Sequence, residues 1–293
     1  MARGTDPTNA ATTGAAQATA LGHGRPYLTH ARPLFFAHRG GALLAPENTI
    51  AAFKHGLSFG ADALELDVHL SRDGELMVLH DPTVDRTTNG VGSANVLTRA
   101  ELQALDAGYR FTPDGGQTFP FRGQGVTIPT LREVLTTFPD ARVNIELKEN
   151  NPRAEERMWA LAQELGVEDR ILVASSYLPT IVRFRRLSAG RITTSASAPE
   201  IRSFVLVALT RTSRWLRPAY DALQVPETYR ALRIVSPTTI ALAHRLGLAM
   251  HVWTVDDRPT MDRLLAWGVD GLMSDRPDLL AEALAAHQAA TQK

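Results

Sequence analysis

Eight short apolar or β-branched runs recur along the chain, at residues 34–38, 63–68, 143–147, 171–175, 192–196, 222–225, 249–254 and 271–274. Between them lie segments with apolar residues at helical spacing, and this alternation limits the fold more than any other feature. Strand and helix in turn give a parallel sheet, and eight such units are what a closed TIM (β/α)8 barrel needs. The first helix shows the local chemistry that supports the assignment. Asn48 stands where a cap belongs, Ile50, Phe53 and Leu57 share one face, and Gly60 supplies a stop.

The barrel is expected over residues 33–285, with a disordered tail at 1–32 and a short tail at 286–293. The first of these is rich in Ala, Thr and Gly, has no periodicity and lacks an apolar run of signal-peptide length. No segment approaches the roughly 18 uncharged apolar residues of a membrane span, so a cytoplasmic location is the expectation. Lys plus Arg and Asp plus Glu both total 31, which gives no overall field to attract nucleic acid or an anionic membrane. The absence of cysteine removes disulfides, zinc-thiolate sites and cysteine nucleophiles together. Residues 201–215 combine an apolar run with several arginines, and read either as a partly buried helix or as a peripheral lipid contact.

The second unit is irregular. Ser71-Arg72-Asp73-Gly74 is a turn signal, after which 75–79 runs back as a hairpin toward His80. About fifty residues then separate His80 from the next helix signal at Thr130, too many for an ordinary connector, so 82–127 is expected to be a small inserted lobe over the barrel mouth.

Glu65 and Asp67 sit in the middle of the second strand, where residues two apart project to the same side. Pointed into a barrel, two carboxylates need a basic partner, a shared proton or a cation. Asn144, Glu146 and Lys148 share one side of the third strand in the same way. Three acids on neighbouring strands suit one Mg²⁺ or Ca²⁺ ion. The alternative is a metal-free ion network in which Lys148 and Arg39 neutralise the acids. His38 ends the first strand and His80 the hairpin, so two imidazoles converge on these groups. One can remove a proton while the other supplies one. Arg39 offers a fork matched to phosphate, and Lys148 a point charge. Trp253, at the end of the seventh strand, either walls a substrate site or fills the barrel mouth.

The runs His38-Arg39-Gly40, Pro46-Glu47-Asn48-Thr49, Glu65-Leu66-Asp67-Val68, His80-Asp81, Arg86-Thr87-Thr88, Ile128-Pro129-Thr130-Leu131, Asn144-Ile145-Glu146-Leu147-Lys148, Val252-Trp253-Thr254-Val255 and Gly268-Val269-Asp270-Gly271 follow one another in an order that resembles the glycerophosphodiester phosphodiesterases. The resemblance spans about residues 34 to 280. It implies a TIM barrel with a lobe inserted after the second strand, and hydrolysis of glycerophosphodiesters to sn-glycerol 3-phosphate and an alcohol. It also implies His38 and His80 as the acid–base pair, Glu65, Asp67 and Glu146 as metal ligands, and Arg39 and Lys148 as phosphate contacts. A substrate hydroxyl would attack phosphorus first and form a cyclic phosphate. Two other readings stand beside this one. The first is lysophospholipase D-type hydrolysis on the same scaffold; the second is a non-catalytic phosphodiester-binding protein.

Overall fold

The strand Ala63–Leu70, with all eight residues buried, sets the pattern of the molecule. Leu64, Leu66, Val68 and Leu70 pack into an apolar layer between sheet and helices, while Ala63 faces a separate cluster inside the ring. By the two-residue period of a strand, Glu65 and Asp67 face inward with Ala63. The computed structural model describes residues 19–20, 24–210, 212 and 216–292. In it Leu34–His38 (β1), Ala63–Leu70 (β2), Arg142–Leu147 (β3), Ile171–Ala174 (β4), Thr193–Thr194 (β5), Ala222–Val225 (β6), Ala249–Val252 (β7) and Gly271–Ser274 (β8) pair in parallel in chain order. β8 returns to β1, and a bridge between Ser195 and Ala222 joins β5 to β6, closing the TIM barrel that the sequence predicts.

Helices follow the strands and cover the ring: α1 (Ile50–Ser58), α2 (Leu131–Thr137), α3 (Pro152–Leu165), α4 (Leu178–Leu187), α5 (Ala198–Thr210), α6 (Pro237–Arg245), α7 (Arg258–Trp267) and α8 (Pro277–Thr291). The cap of α1 is Thr49, whose side chain accepts from the Ala52 N–H, and not Asn48. Asn48 is drawn inward by a stronger partner described below. Gly40, with φ +88°, lies so close to α1 that a Cβ there would stand 2.6 Å from the Ala52 carbonyl carbon, so only glycine lets α1 lie against β1.

The two expected tails are partly structured. Tyr27 and Leu28 are fully buried and pack with Leu34, Ala63, Ala222 and Ala249 at the N-terminal ends of the strands. They plug the bottom of the barrel, because a ring of small side chains there leaves space that only an added segment fills. Residues 1–18 and 21–23 of the predicted tail lie outside the described residues. At the other end α8 runs to Thr291, so 286–291 is helix rather than tail. Tyr27→Ala is expected to cost about 3 kcal/mol in denaturant unfolding, the lower end for emptying a large aromatic site, and an unchanged midpoint would rule out the plug.

Leu76–Val78 returns antiparallel beside β2, with Val68 opposite Val78. The segment that follows builds its own small core from Met77, Leu79, Val84, Ala94, Leu102, Ala107 and Ile128. It is a lobe attached to the hairpin.

Candidate active site

Polar side chains at the C-terminal ends of the strands gather in a cavity of about 730 Å³. His38, Arg39, Glu65, Asp67, His80, Glu146, Lys148 and Trp253 all line it, so every site residue expected from sequence reaches one place. Strand register explains the acids. In the parallel ladders Glu65 lies beside His38 on one side and Asn144 on the other, and Asp67 beside Glu146. One carboxylate oxygen each from Glu65, Asp67 and Glu146 then fall within 4.8 Å of one another.

The cations beside them are unevenly shared. Lys148 Nζ lies 3.0 Å from Asp67 Oδ1 and 2.9 Å from Glu146 Oε2. Arg39 Nε stands 3.4 Å from Asp67 Oδ2, and the Arg39 N–H donates to Glu65 Oε2. Asn48 donates its side-chain amide to Asp67 Oδ2 at 3.0 Å, which is why it does not cap α1. Burial alone would raise the Asp67 carboxyl, but Lys148 and Arg39 hold it below the usual range. At Glu65 the opposing pull of His38 and Arg39 is outweighed by burial and repulsion from Asp67, which push it up to about 7. An ion network of Lys148 and Arg39 therefore exists, yet it does not fully stabilise the Glu65 carboxylate, which is left ready to take a proton or a cation. Three hard oxygen donors so close together fit a divalent cation of the Mg²⁺ or Ca²⁺ kind.

The two histidines are held alike. His38 Nδ1 lies 2.7 Å from Asp275 Oδ1, and its Nε2 is 3.7 Å from Glu65 Oε2. Burial works to lower the His38 pKa, but Glu65 and Asp275 outweigh it and hold it up at about 9. His80 Nδ1 lies 2.7 Å from Asp81 Oδ1. In both rings one nitrogen is fixed by a carboxylate and the other remains for the cavity. Asp275 escapes a sequence reading, because an acid just after a strand and before a Pro-initiated helix resembles a cap. Its place at the end of β8 is the only available signal. Ser274 Oγ and the Asp275 N–H both donate to Asp256 Oδ1, which fixes this corner.

Glu47, just before α1, joins the two halves of the site. It accepts from Arg39 Nη1 at 3.0 Å and from Arg86 Nη1 and Nη2 at 2.6 and 2.8 Å. Arg86 in turn donates through Nε to Asp81 Oδ2 at 2.6 Å, and this guanidinium, ahead of His80, lowers Asp81 to about 2. A continuous line of charge-assisted bonds thus runs from Arg39 on the barrel to His80 on the hairpin. His69 points beyond the cavity: its Nδ1 pairs with Glu149 at 3.1 Å and its Nε2 lies 3.1 Å from the His80 carbonyl. No residue of 82–127 lines the cavity, so the lobe does not roof the mouth as the sequence suggested. Its short chain segments are spent on their own core, and it delivers Arg86 from the side.

Of the remaining polar positions, Ser176 donates to Glu146 Oε1 at 3.1 Å, and Gln224 to Asn144 Oδ1 at 2.9 Å, both in the cavity wall. Trp253 is 41% exposed at the mouth and does not fill the barrel. Of the expected lipid-contact segment 201–215, Arg211 and 213–215 lie outside the described residues. No helix among the described residues is long and apolar enough to cross a membrane.

Comparison with known proteins agrees with this geometry. The family model described as Glycerophosphoryl diester phosphodiesterase family matches residues 38–279. The chain is similar to a glycerophosphodiester phosphodiesterase of Caldanaerobacter subterraneus subsp. tengcongensis, with 35% identity over 257 residues, covering 85% of this chain and 96% of the relative. Among solved structures it is similar to the glycerophosphodiester phosphodiesterase from Agrobacterium tumefaciens, with 30% identity, a TM-score of 0.69, and 85% and 99% of the two chains covered. An Oleispira antarctica phosphodiesterase in complex with the product sn-glycerol-3-phosphate superposes with a TM-score of 0.66 at 25% identity, over 87% of this chain and 97% of that one. The chain belongs to the glycerophosphoryl diester phosphodiesterase family and is a phosphodiester hydrolase.

Proposed function

We propose that the protein hydrolyses glycerophosphodiesters to sn-glycerol 3-phosphate and an alcohol, with one divalent cation, Mg²⁺ or Ca²⁺, held by Glu65, Asp67 and Glu146. The observation that supports it most is the pairing of two carboxylate-oriented histidines with a close cage of three acids in one cavity. The bound cation supplies stabilisation of charge growing on the phosphoryl oxygens. Arg39 and Lys148 supply the same kind of stabilisation and orient the phosphate.

His38 and His80 work as an acid–base pair. One takes the proton of the attacking hydroxyl as the new P–O bond forms, and the other gives a proton to the alcohol oxygen as the old P–O bond breaks. Asp275 and Asp81 keep each ring turned with Nδ1 away from the substrate, so that Nε2 does the transfer. The glycerol hydroxyl next to the phosphodiester is the first attacking group, giving a cyclic phosphate that water opens in a second step with the roles of the histidines exchanged.

Incubation with glycerophosphocholine and Mg²⁺ or Ca²⁺ should release choline and sn-glycerol 3-phosphate in equal amounts, with the 1,2-cyclic phosphate trapped on rapid quenching. Release of both products without any cyclic species would replace the first step by direct attack of water. No release from any glycerophosphodiester would overturn the reading.

A further inference from the structure

The bridge between Glu47 and Asp81 uses all three nitrogens of one guanidinium. Arg86 gives Nε and Nη2 to Asp81 at 2.6 and 3.2 Å, and Nη1 and Nη2 to Glu47 at 2.6 and 2.8 Å. A planar fork with five N–H donors faces two carboxylates at once, whereas a lysine ammonium on a flexible stem cannot hold both in fixed directions. The two acids so joined have different partners. Asp81 turns His80 through Nδ1 at 2.7 Å, and Glu47 accepts from Arg39 Nη1 at 3.0 Å. Kept ionised by Arg86, Asp81 can only accept, so Nδ1 of His80 is the donor of their bond.

The local chain is built to hold Arg86 there. Val84 and Thr88, two residues to either side, are fully buried in the lobe. The Thr88 N–H and Oγ1 both donate to the Val84 carbonyl, at 3.1 and 2.8 Å, and Arg110 Nε donates to the Thr88 carbonyl at 3.0 Å. This closes one turn with Arg86 on its outer side. The two imidazoles are therefore braced differently: Asp275 follows β8 of the ring itself, while Asp81 leaves the end of a hairpin with its side chain 28% exposed. Solvent competes for Asp81 unless a second element braces it. The Arg86 side chain is itself 48% exposed, and ion pairs open to solvent add little to folding stability, so the clamp acts on direction more than on the fold.

We propose that Arg86 is a positioning residue, which fixes the His80 ring through Asp81 and ties it to Arg39 through Glu47, so that the lobe sets the alignment of the proton-transfer group with the phosphate contact. The inference rests on the phosphodiesterase reading above and adds to it a task for the lobe. Arg86, Asp81 and Glu47 do not line the catalytic cavity, so their effect on turnover passes through His80 and Arg39.

The test measures turnover of glycerophosphocholine with Mg²⁺. Arg86→Lys and Arg86→Ala should each lower kcat by about 10–100-fold, the range for losing the outer partner of an active-site histidine, with a smaller change in KM and little change in melting temperature. In an Asp81→Asn background the same Arg86→Ala change should lower kcat far less, whereas independent roles would multiply to within about twofold. Because the position is open to solvent, guanidinium ion well below denaturing concentrations should restore kcat of Arg86→Ala several-fold, and methylammonium at the same concentration should not. Glu47→Gln removes the other end of the clamp without altering the lobe, and should lower kcat and raise KM together, which keeps the test decisive if an Arg86 variant misfolds. Wild-type kcat in Arg86→Ala or Glu47→Gln, multiplicative costs with Asp81→Asn, or equal rescue by the two ions would overturn the positioning role alone. Failure of the wild-type protein to turn over any glycerophosphodiester would overturn the phosphodiesterase reading and this role with it.

Discussion

His38→Gln and His80→Gln are each expected to lower kcat by about 10²–10⁴-fold, the range for loss of a positioned proton donor or acceptor, with a smaller change in KM. The reason lies in the geometry of the rings. Each is turned by a carboxylate at 2.7 Å on Nδ1, so in the proposed acid–base pair the transfer falls to the remaining nitrogen, which glutamine cannot replace as an acid–base group. Glutamine keeps some bulk and polarity between Asp275 and Glu65, so unfolding is not the expected cause of the loss. A melting temperature close to wild type, measured on the same samples, separates the two causes. A kcat within a few-fold of wild type for either variant would remove that histidine from the acid–base pair.

Removal of the divalent cation is expected to abolish turnover, and re-addition of Mg²⁺ or Ca²⁺ to restore it. Binding itself gives an independent readout. A cation at about 100 times its Kd stabilises the fold by about 2.7 kcal/mol if it binds only the folded state, which thermal melting detects as a rise of several degrees. The pH dependence has a definite sign. The Glu65 carboxyl is raised to about 7, so below that pH the metal-free site carries a proton that the cation must displace. Affinity in calorimetry should therefore weaken as pH falls through 7, with protons released on binding. Glu65→Gln should abolish the melting shift. Full activity in excess chelator would favour the Lys148 and Arg39 network as the whole explanation of the acids.

What the sequence reveals depends on how far apart the interacting residues lie. The inward side of β2 is legible because the two-residue period ties Glu65 to Asp67 within a few positions, and the hairpin return toward His80 is announced by its own turn. Asp275 and Arg86 are not legible in this way. Asp275 meets His38 from 237 residues away and Arg86 meets Glu47 from 39 away, and although Asp81 is only five residues from Arg86, no local pattern separates these two from a cap and a surface cation. Tyr27 and Leu28 form a two-residue apolar island in a polar context, and their burial depends on the open lower end of a barrel that only the closed ring creates. The end of α8 is illegible for the opposite reason. Residues 286–291 are mostly polar or small and largely exposed, so no apolar face marks the helix.

The lobe after β2 has its own core, and His80, Asp81 and Arg86 stand where that core meets the barrel. Proteins open in cooperative pieces whose free energies differ, and small peripheral cores open before large central ones. Here the smaller piece carries one of the two imidazoles. If His80 acts as proposed, local opening of the lobe is expected to silence turnover while the barrel stays folded. Turnover is then expected to be lost, reversibly, at a lower denaturant concentration than the global unfolding midpoint, which activity and circular dichroism measured on one titration would check.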